Sequence, residues 1–425
     1  MFENSSGSAV DYIMTFSHSG SPVKDLSRIK KLLSAAGDPQ DSLKFVHIAG
    51  TNGKGSMAQM FSCIFTDAGL KTGLFTSPYM LEYADRIRIN GKNIPEKDLA
   101  ELAEKVKDII AENGDEGYSQ FEVTQTIAFM YFAQQGCDVV VLETGVGGLL
   151  DCTNVIKDPM LTVIGSVDYD HMAVLGDTLE EIAAQKAGII KHGVPCVMSA
   201  GNAEAAVKVI TDTAAEKSAK LVVPDAEAVK IFSCGLYGSE FEYNGGIYST
   251  AMGGEHQIMN ALTVIEGAEL IKEQLGITFE NVFKGISEAR LIGRTEAICS
   301  YPLTILDGAH NPDGLSALAE LIAGCGKKPV KAVIGMCRDK NIAGAVSKLI
   351  PVVDSFVTVD GFSERAEDKN KLAEIINSLG GKAEAAPYGI MSAVTVMQSS
   401  NPDGLNLICG SLFLAAEVKK QTLQG

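Results

Sequence analysis

The sequence predicts an α/β protein: a doubly wound, mainly parallel sheet followed by a second, smaller α/β domain. Three observations carry this. Apolar, β-branched runs alternate with helix-like stretches, the first such run empties into a glycine-rich turn holding a lysine, and the strand rhythm restarts past Tyr301. Parallel strands covered by helices on both faces read as unbroken apolar runs, which is the pattern here. A chain of 425 residues is too long for one ordinary core and calls for at least two domains.

In the first part, Phe45–Ala49, Val139–Leu142, Leu161–Val167 and Pro195–Met198 are strand candidates. Met57–Ala68, Leu99–Ile110, Val123–Gln134 and Leu179–Ile190 are the helix candidates between them, the last capped by Asp177 or Thr178 and ending near Gly188. The stretch from about Ala203 to Gly254 is less regular and rich in glycine toward its end, and extra strands are expected there. Beyond Tyr301, Leu303–Leu306, Val330–Ile334, Phe356–Val359 and Leu405–Cys409 read as strands, with helices at Leu315–Ala323 and Leu412–Lys420. The expected division is a phosphate-loop-type domain over 1–295 and a Rossmann-like α/β domain over 296–425.

Val46-His47-Ile48-Ala49-Gly50-Thr51-Asn52-Gly53-Lys54-Gly55-Ser56 is the most informative segment. Glycines let several backbone N–H groups of Thr51, Asn52, Gly53 and Gly55 converge on one phosphate. Lys54 has the length to reach the outer phosphates of ATP, and Ser56 carries a hydroxyl fit for Mg²⁺. A following helix aims its positive end at the same anion. Motor and switch ATPases place Ser or Thr directly after the lysine, where this chain has Gly55, so that class is disfavoured.

The run Val139–Leu142 ends in Glu143, followed by Thr144-Gly145-Val146-Gly147-Gly148. A carboxylate at the carboxyl end of a parallel strand stands where ligands gather in open α/β sheets, and hard cations prefer oxygen. Ser166-Val167-Asp168-Tyr169-Asp170-His171 also follows a strand and brings one imidazole toward that end of the sheet. Lys186, by its position on a polar helix, reads as a solvated lysine.

Formal charge is −17, which opposes nonspecific binding to nucleic acid or anionic membranes. No apolar run approaches the roughly 20 residues of a membrane span. Nine cysteines without metal spacing suit a reducing, cytoplasmic setting, and Met1-Phe2-Glu3-Asn4-Ser5 shows no secretory pattern. A monomer is the expected state.

The strings Gly50–Ser56 and Glu143-Thr-Gly-Val-Gly-Gly-Leu-Leu-Asp-Cys-Thr-Asn154 together resemble the two signatures of the folylpolyglutamate and dihydrofolate synthases, the folate branch of the Mur ligases. The resemblance implies an ATP-dependent ligase joining L-glutamate to a folate or to dihydropteroate through an acyl phosphate. It implies two Mg²⁺ ions held by Ser77, Glu143, His171 and a carbamylated Lys186, the lysine of Lys186-Ala187-Gly188. It implies ATP contacts from Asn260, Arg294, Asp307 and His310, and a pterin cleft with Phe121 and Asp151. Lys54, His171, Lys186 and Arg294 would carry the catalysis. The chain departs from the family pattern at Tyr79, Leu149, Gln185, Leu291-Ile292 and Asn341. None of these is a proposed phosphate or metal ligand. Two rivals stand beside this reading: a Mur-type ligase acting on a cell-wall precursor, and a nucleotide-regulated binding module without ligase activity.

Overall fold

The computed structural model describes residues 5–16 and 25–424; residues 1–4, read above for a leader, lie outside them. The first sheet holds β1 (Phe45–Ala49), β2 (Thr72–Phe75), β3 (Ile87–Ile89), β4 (Lys92–Asn93), β5 (Val139–Glu143), β6 (Leu161–Ile164), β7 (Cys196–Met198) and β8 (Leu221–Val222). Their order is β4-β3-β2-β5-β1-β6-β7-β8, parallel except where β3 meets β2 and β4. β1, β2, β5 and β6 are buried along their whole length, as strands covered on both faces must be.

Register positions the site. Ile48 of β1 lies between Glu143 of β5 and Val163 of β6, and Phe75 of β2 lies beside Leu142. The carboxyl ends of β2, β5, β1 and β6 therefore finish level. The chain winds toward β2 after β1 and toward β7 after β6, so the loops after β1, β5 and β6 share a switch point.

Several expected bounds move. The helix after β1 runs Lys54–Asp67 rather than starting at Met57, because Gly53 turns the chain directly into it. β6 stops at Ile164, since the chain from Gly165 bends to bond the loop after β1. The helix from Leu179 ends at Ala187, with Thr178 and Glu181 forming its capping box. β2 escaped notice because it is four residues long and contains Gly73, where a Cβ would come within 2.9 Å of the Phe132 ring. The stretch from Ala203 begins with a regular helix, Glu204–Glu216, before any further strand.

Contacts divide the chain into two compact units. The first comprises the chain to Ala226 together with Met259–Glu288, and the second comprises Glu227–Ile258 with the chain from Ala289. A single boundary at 295 does not describe this out-and-back path, which strand rhythm cannot reveal. In the second unit, β9 (Lys230–Gly235), β10 (Gly238–Tyr243) and β11 (Gly246–Thr250) form an antiparallel sheet. Leu236, between β9 and β10, joins the core of the larger sheet in that unit. That sheet contains β12 (Glu296–Ser300), β13 (Leu303–Leu306), β14 (Val330–Ile334), β15 (Ser355–Thr358), β16 (Ala383–Ala385) and β17 (Leu405–Cys409). Its order is β12-β13-β17-β14-β15-β16, parallel apart from β12. Among the described residues no helix is long and apolar enough to cross a membrane.

Candidate active site

Gly53 caps the helix Lys54–Asp67 with φ +83°, a region open to glycine. A Cβ there would lie 2.4 Å from Oδ1 of Asn260, so the Asn260 carboxamide rests on the loop. Because the helix begins at Lys54, the N–H groups of Lys54, Gly55 and Ser56 fall in its first turn, where intrahelical acceptors are lacking. The Lys54 ammonium curls back to donate to the carbonyls of Gly50 (3.0 Å) and Thr51 (3.2 Å). The Ser56 hydroxyl is buried without a hydrogen-bond partner, a cost that a bound ligand would relieve.

The loop after β6 braces this turn. Thr51 N–H donates to Ser166 O at 2.6 Å, Asn52 N–H donates to Ser166 Oγ at 3.2 Å, and Thr51 Oγ1 exchanges two 3.0 Å bonds with the Asp168 backbone. Across β5, Glu143 is 4% exposed and its Oε2 accepts from Ser77 N–H at 3.2 Å. Ser77 and Glu143 thus meet at this end of the sheet.

Lys186 is buried in the last turn of its helix at 2% exposure. Burial, and secondly the Lys54 cation, pull its pKa down to about 7, with Asp170 opposing them. It is therefore not the solvated lysine its helix position suggested. Gly148 fixes the turn after β5 against this helix: a Cβ there would sit 2.7 Å from Gln185 O. His171 occupies the rim, with φ +51°, a side chain 42% exposed, and Nε2 3.9 Å from Asp170 Oδ2.

Phe121 and Asp151 converge on Gly145, where a Cβ would meet the Phe121 ring at 2.8 Å and Asp151 Oδ2 at 3.1 Å. Phe121 also packs against Phe75, with ring centroids 5.6 Å apart. Sequence reasoning missed two neighbours of Glu143. Arg86 and Arg88 are pulled below the usual arginine pKa by burial, while Glu143 raises both. Arg86 lies over the rings of Tyr79 (5.2 Å) and Tyr83 (5.5 Å). The alternation Arg86-Ile87-Arg88 beside an extended segment was the available signal.

The second unit gathers its own cluster. Asp307 accepts from the N–H groups of Thr295 and Ala309, both at 2.8 Å, and His310 Nδ1 lies 2.9 Å from Gly308 O. Arg294 passes over Gly308, where a Cβ would sit 3.0 Å from Nη1. His256, also missed, is half-buried beside them; burial lowers its pKa, Asp307 raises it and Arg294 lowers it.

Among the described residues no three His, Cys, Asp or Glu side chains cluster as a protein-only metal cage. The donors at hand are hydroxyls and one buried carboxylate, the set suited to Mg²⁺, which keeps waters and substrate phosphates as ligands.

The Mur ligase middle domain family matches residues 48–268, and the glutamate ligase domain family of the Mur ligases matches residues 293–412. The chain is 33% identical to a dihydrofolate synthase/folylpolyglutamate synthase of Bacillus subtilis, over 93% of this chain and 94% of that one. It is 32% identical to a probable bifunctional folylpolyglutamate synthase/dihydropteroate synthase of Haloferax volcanii, matching 92% of this chain but spanning about half of that longer protein (47%). The solved structure of E. coli FolC in complex with DHPP and ADP superimposes with a TM-score of 0.84 at 29% identity, covering 99% of this chain and 98% of that one. The chain belongs to the folylpolyglutamate synthase/dihydrofolate synthase family of the Mur ligases.

Proposed function

We propose that this chain is an ATP-dependent ligase that joins the amine of L-glutamate to a folate carboxylate, with dihydropteroate as a second acceptor. The observation that carries the reading is the meeting, at one end of the first sheet, of a phosphate-cradling loop with a buried lysine held near pKa 7. A pure nucleotide sensor has no use for that lysine, which disfavours the binding-module alternative.

Lys54 and the first-turn N–H groups hold the triphosphate, with Thr51, Asn52 and Asn260 fixing the loop. An oxygen of the acceptor carboxylate attacks the γ-phosphorus, the bond to the ADP oxygen breaks, and an acyl phosphate forms. The glutamate nitrogen then attacks the acyl carbon, and inorganic phosphate leaves as the amide forms. Both steps bring anions together, so positioning and charge neutralisation carry the rate.

Ser56, Ser77, Glu143, His171 and Lys186 are the residues we assign to two Mg²⁺ ions. When bound, these ions would neutralise charge on the phosphates and the attacking carboxylate. Lys186 joins the set by carbamylation: its neutral Nζ bonds the carbon of CO₂, a proton leaves to solvent, and an anionic oxygen donor replaces a cation. A pKa of about 7 leaves enough free amine at neutral pH for this. Arg294, Asp307 and His310 are assigned to ATP and the transferred phosphate, Arg294 by its charge. Phe121 and Asp151 are assigned to the pteridine ring. The nine cysteines are free thiols, which supports the cytoplasmic placement we propose, with a monomer as the working unit.

The test supplies purified protein with ATP, Mg²⁺ and L-glutamate, and with dihydropteroate, a reduced folate or a cell-wall precursor as acceptor. Phosphate release confined to the pteridine acceptors is the expected result. Release with the cell-wall precursor alone, or with none of the three, overturns the reading.

A further inference from the structure

His47 is a fully buried imidazole in the middle of β1, with no exposure to any substrate. Its Nε2 lies 2.9 Å from Oγ1 of Thr153, itself fully buried. The Thr153 hydroxyl lies 2.5 Å from Oδ1 of Asp151, which also accepts the Thr153 N–H at 3.0 Å. The other carboxylate oxygen, Oδ2, accepts the Val146 N–H at 2.9 Å and borders Gly145 beside the Phe121 ring.

Proton bookkeeping fixes the direction of this chain. Burial raises the Asp151 pKa, and the donors Thr153, Val146 and Gly145 lower it; as a carboxylate it only accepts, so the Thr153 hydroxyl donates to Asp151. Its remaining lone pairs then accept, so His47 Nε2 carries the proton. A neutral imidazole has one N–H, which leaves Nδ1 as a bare lone pair, and Nδ1 is buried without a partner. Burial, with the charge of Lys191 as a second cause, holds His47 neutral, its pKa lowered to about 3. Cys152, with Glu122 and Arg28 behind it, is the other titratable neighbourhood of Asp151.

We infer that His47 is a positioning residue for the acceptor: through Thr153 it locks the Asp151 carboxylate so that Oδ2 is presented beside Phe121. The inference rests on the proposed pteridine role of Asp151. An isolated carboxylate after a glycine turn would rotate about its side-chain torsions. Two donors on Oδ1 and one on Oδ2 remove that freedom before the ligand arrives.

Thr153→Val and His47→Leu remove the relay, whereas Thr153→Ser and His47→Gln keep a donor at each position. The KM for dihydropteroate and for a reduced folate is expected to rise about tenfold in the first pair, the worth of one hydrogen bond to a charged group. KM for ATP and kcat should stay within about twofold, and the conservative pair should restore acceptor KM. Parallel shifts in both KM values and kcat, or an unchanged acceptor KM while Asp151→Asn weakens it, overturn the relay. Asp151→Asn with unaltered acceptor KM instead overturns the pocket assignment. The relay then stands or falls on ¹⁵N NMR of His47 alone: a protonated Nε2 that loses its hydrogen-bond signature in Thr153→Val supports it, and a protonated Nδ1 overturns it.

Discussion

Lys186→Met is expected to abolish turnover while making the ligand-free protein more stable. The side chain is almost wholly buried, and burial with the Lys54 charge lowers its pKa to about 7. The unfolded chain holds that proton up to the ordinary lysine range, so between pH 7 and about 10 it binds more protons than the folded state. The sign follows: this group opposes folding most at and below neutral pH, and the penalty fades as pH rises toward the unfolded value. Methionine fills similar volume without charge and should add about 2 kcal/mol near pH 7, shrinking to nothing near pH 10. Thermal denaturation in CO₂-free buffer at both pH values checks this. The same variant should lose about a thousandfold or more in kcat, because it removes the oxygen ligand we propose for Mg²⁺. Lys186→Ala leaves space instead, and short carboxylates such as acetate should restore part of its activity. Full activity in either variant would exclude the carbamate.

Gly53→Ala should be nearly as damaging, by a different route. At φ +83° an alanine is strained by about 1 kcal/mol or more. Its Cβ would also lie 2.4 Å from Oδ1 and 3.1 Å from Cγ of Asn260, which is itself buried. Loop or carboxamide must move, and both belong to the phosphate cradle we propose. We expect a stability loss of about 2 kcal/mol and a rise of about a hundredfold in KM for ATP. Thermal melting and ATP titration of initial rates measure the two effects. Gly53→Ala combined with Asn260→Ala should recover part of the stability, since the collision partner is gone, while the backbone strain persists. A Gly53→Ala enzyme with ordinary ATP affinity would show that the loop does not need this geometry.

Much of this was legible in the chain itself. β1, β13, β14 and β17 fall on the residues expected, because a strand buried on both faces has to be a short, unbroken apolar run. The phosphate loop was equally plain, since glycine spacing and one lysine are local requirements. Less visible were β2, whose glycine serves the Phe132 ring, and the helix Glu204–Glu216, masked by the glycine-rich stretch after it. Arg86 and Arg88 were passed over because a charged residue near a short strand reads as surface until its burial is known.

The sequence by itself determined the chemistry on offer: an anion-seeking turn, a carboxylate at a strand end, a lysine before a glycine, and two signatures that fix the family. Only the tertiary structure decided what state those groups are in. Lys186 becomes a near-neutral amine because burial and a cation from a distant part of the chain act on it together. His47 acquires its tautomer because Thr153 and Asp151 arrive from beyond β5. Local propensity acts over a few neighbouring residues, whereas pKa and proton position answer to everything within a few ångströms, and those neighbours are chosen by the fold.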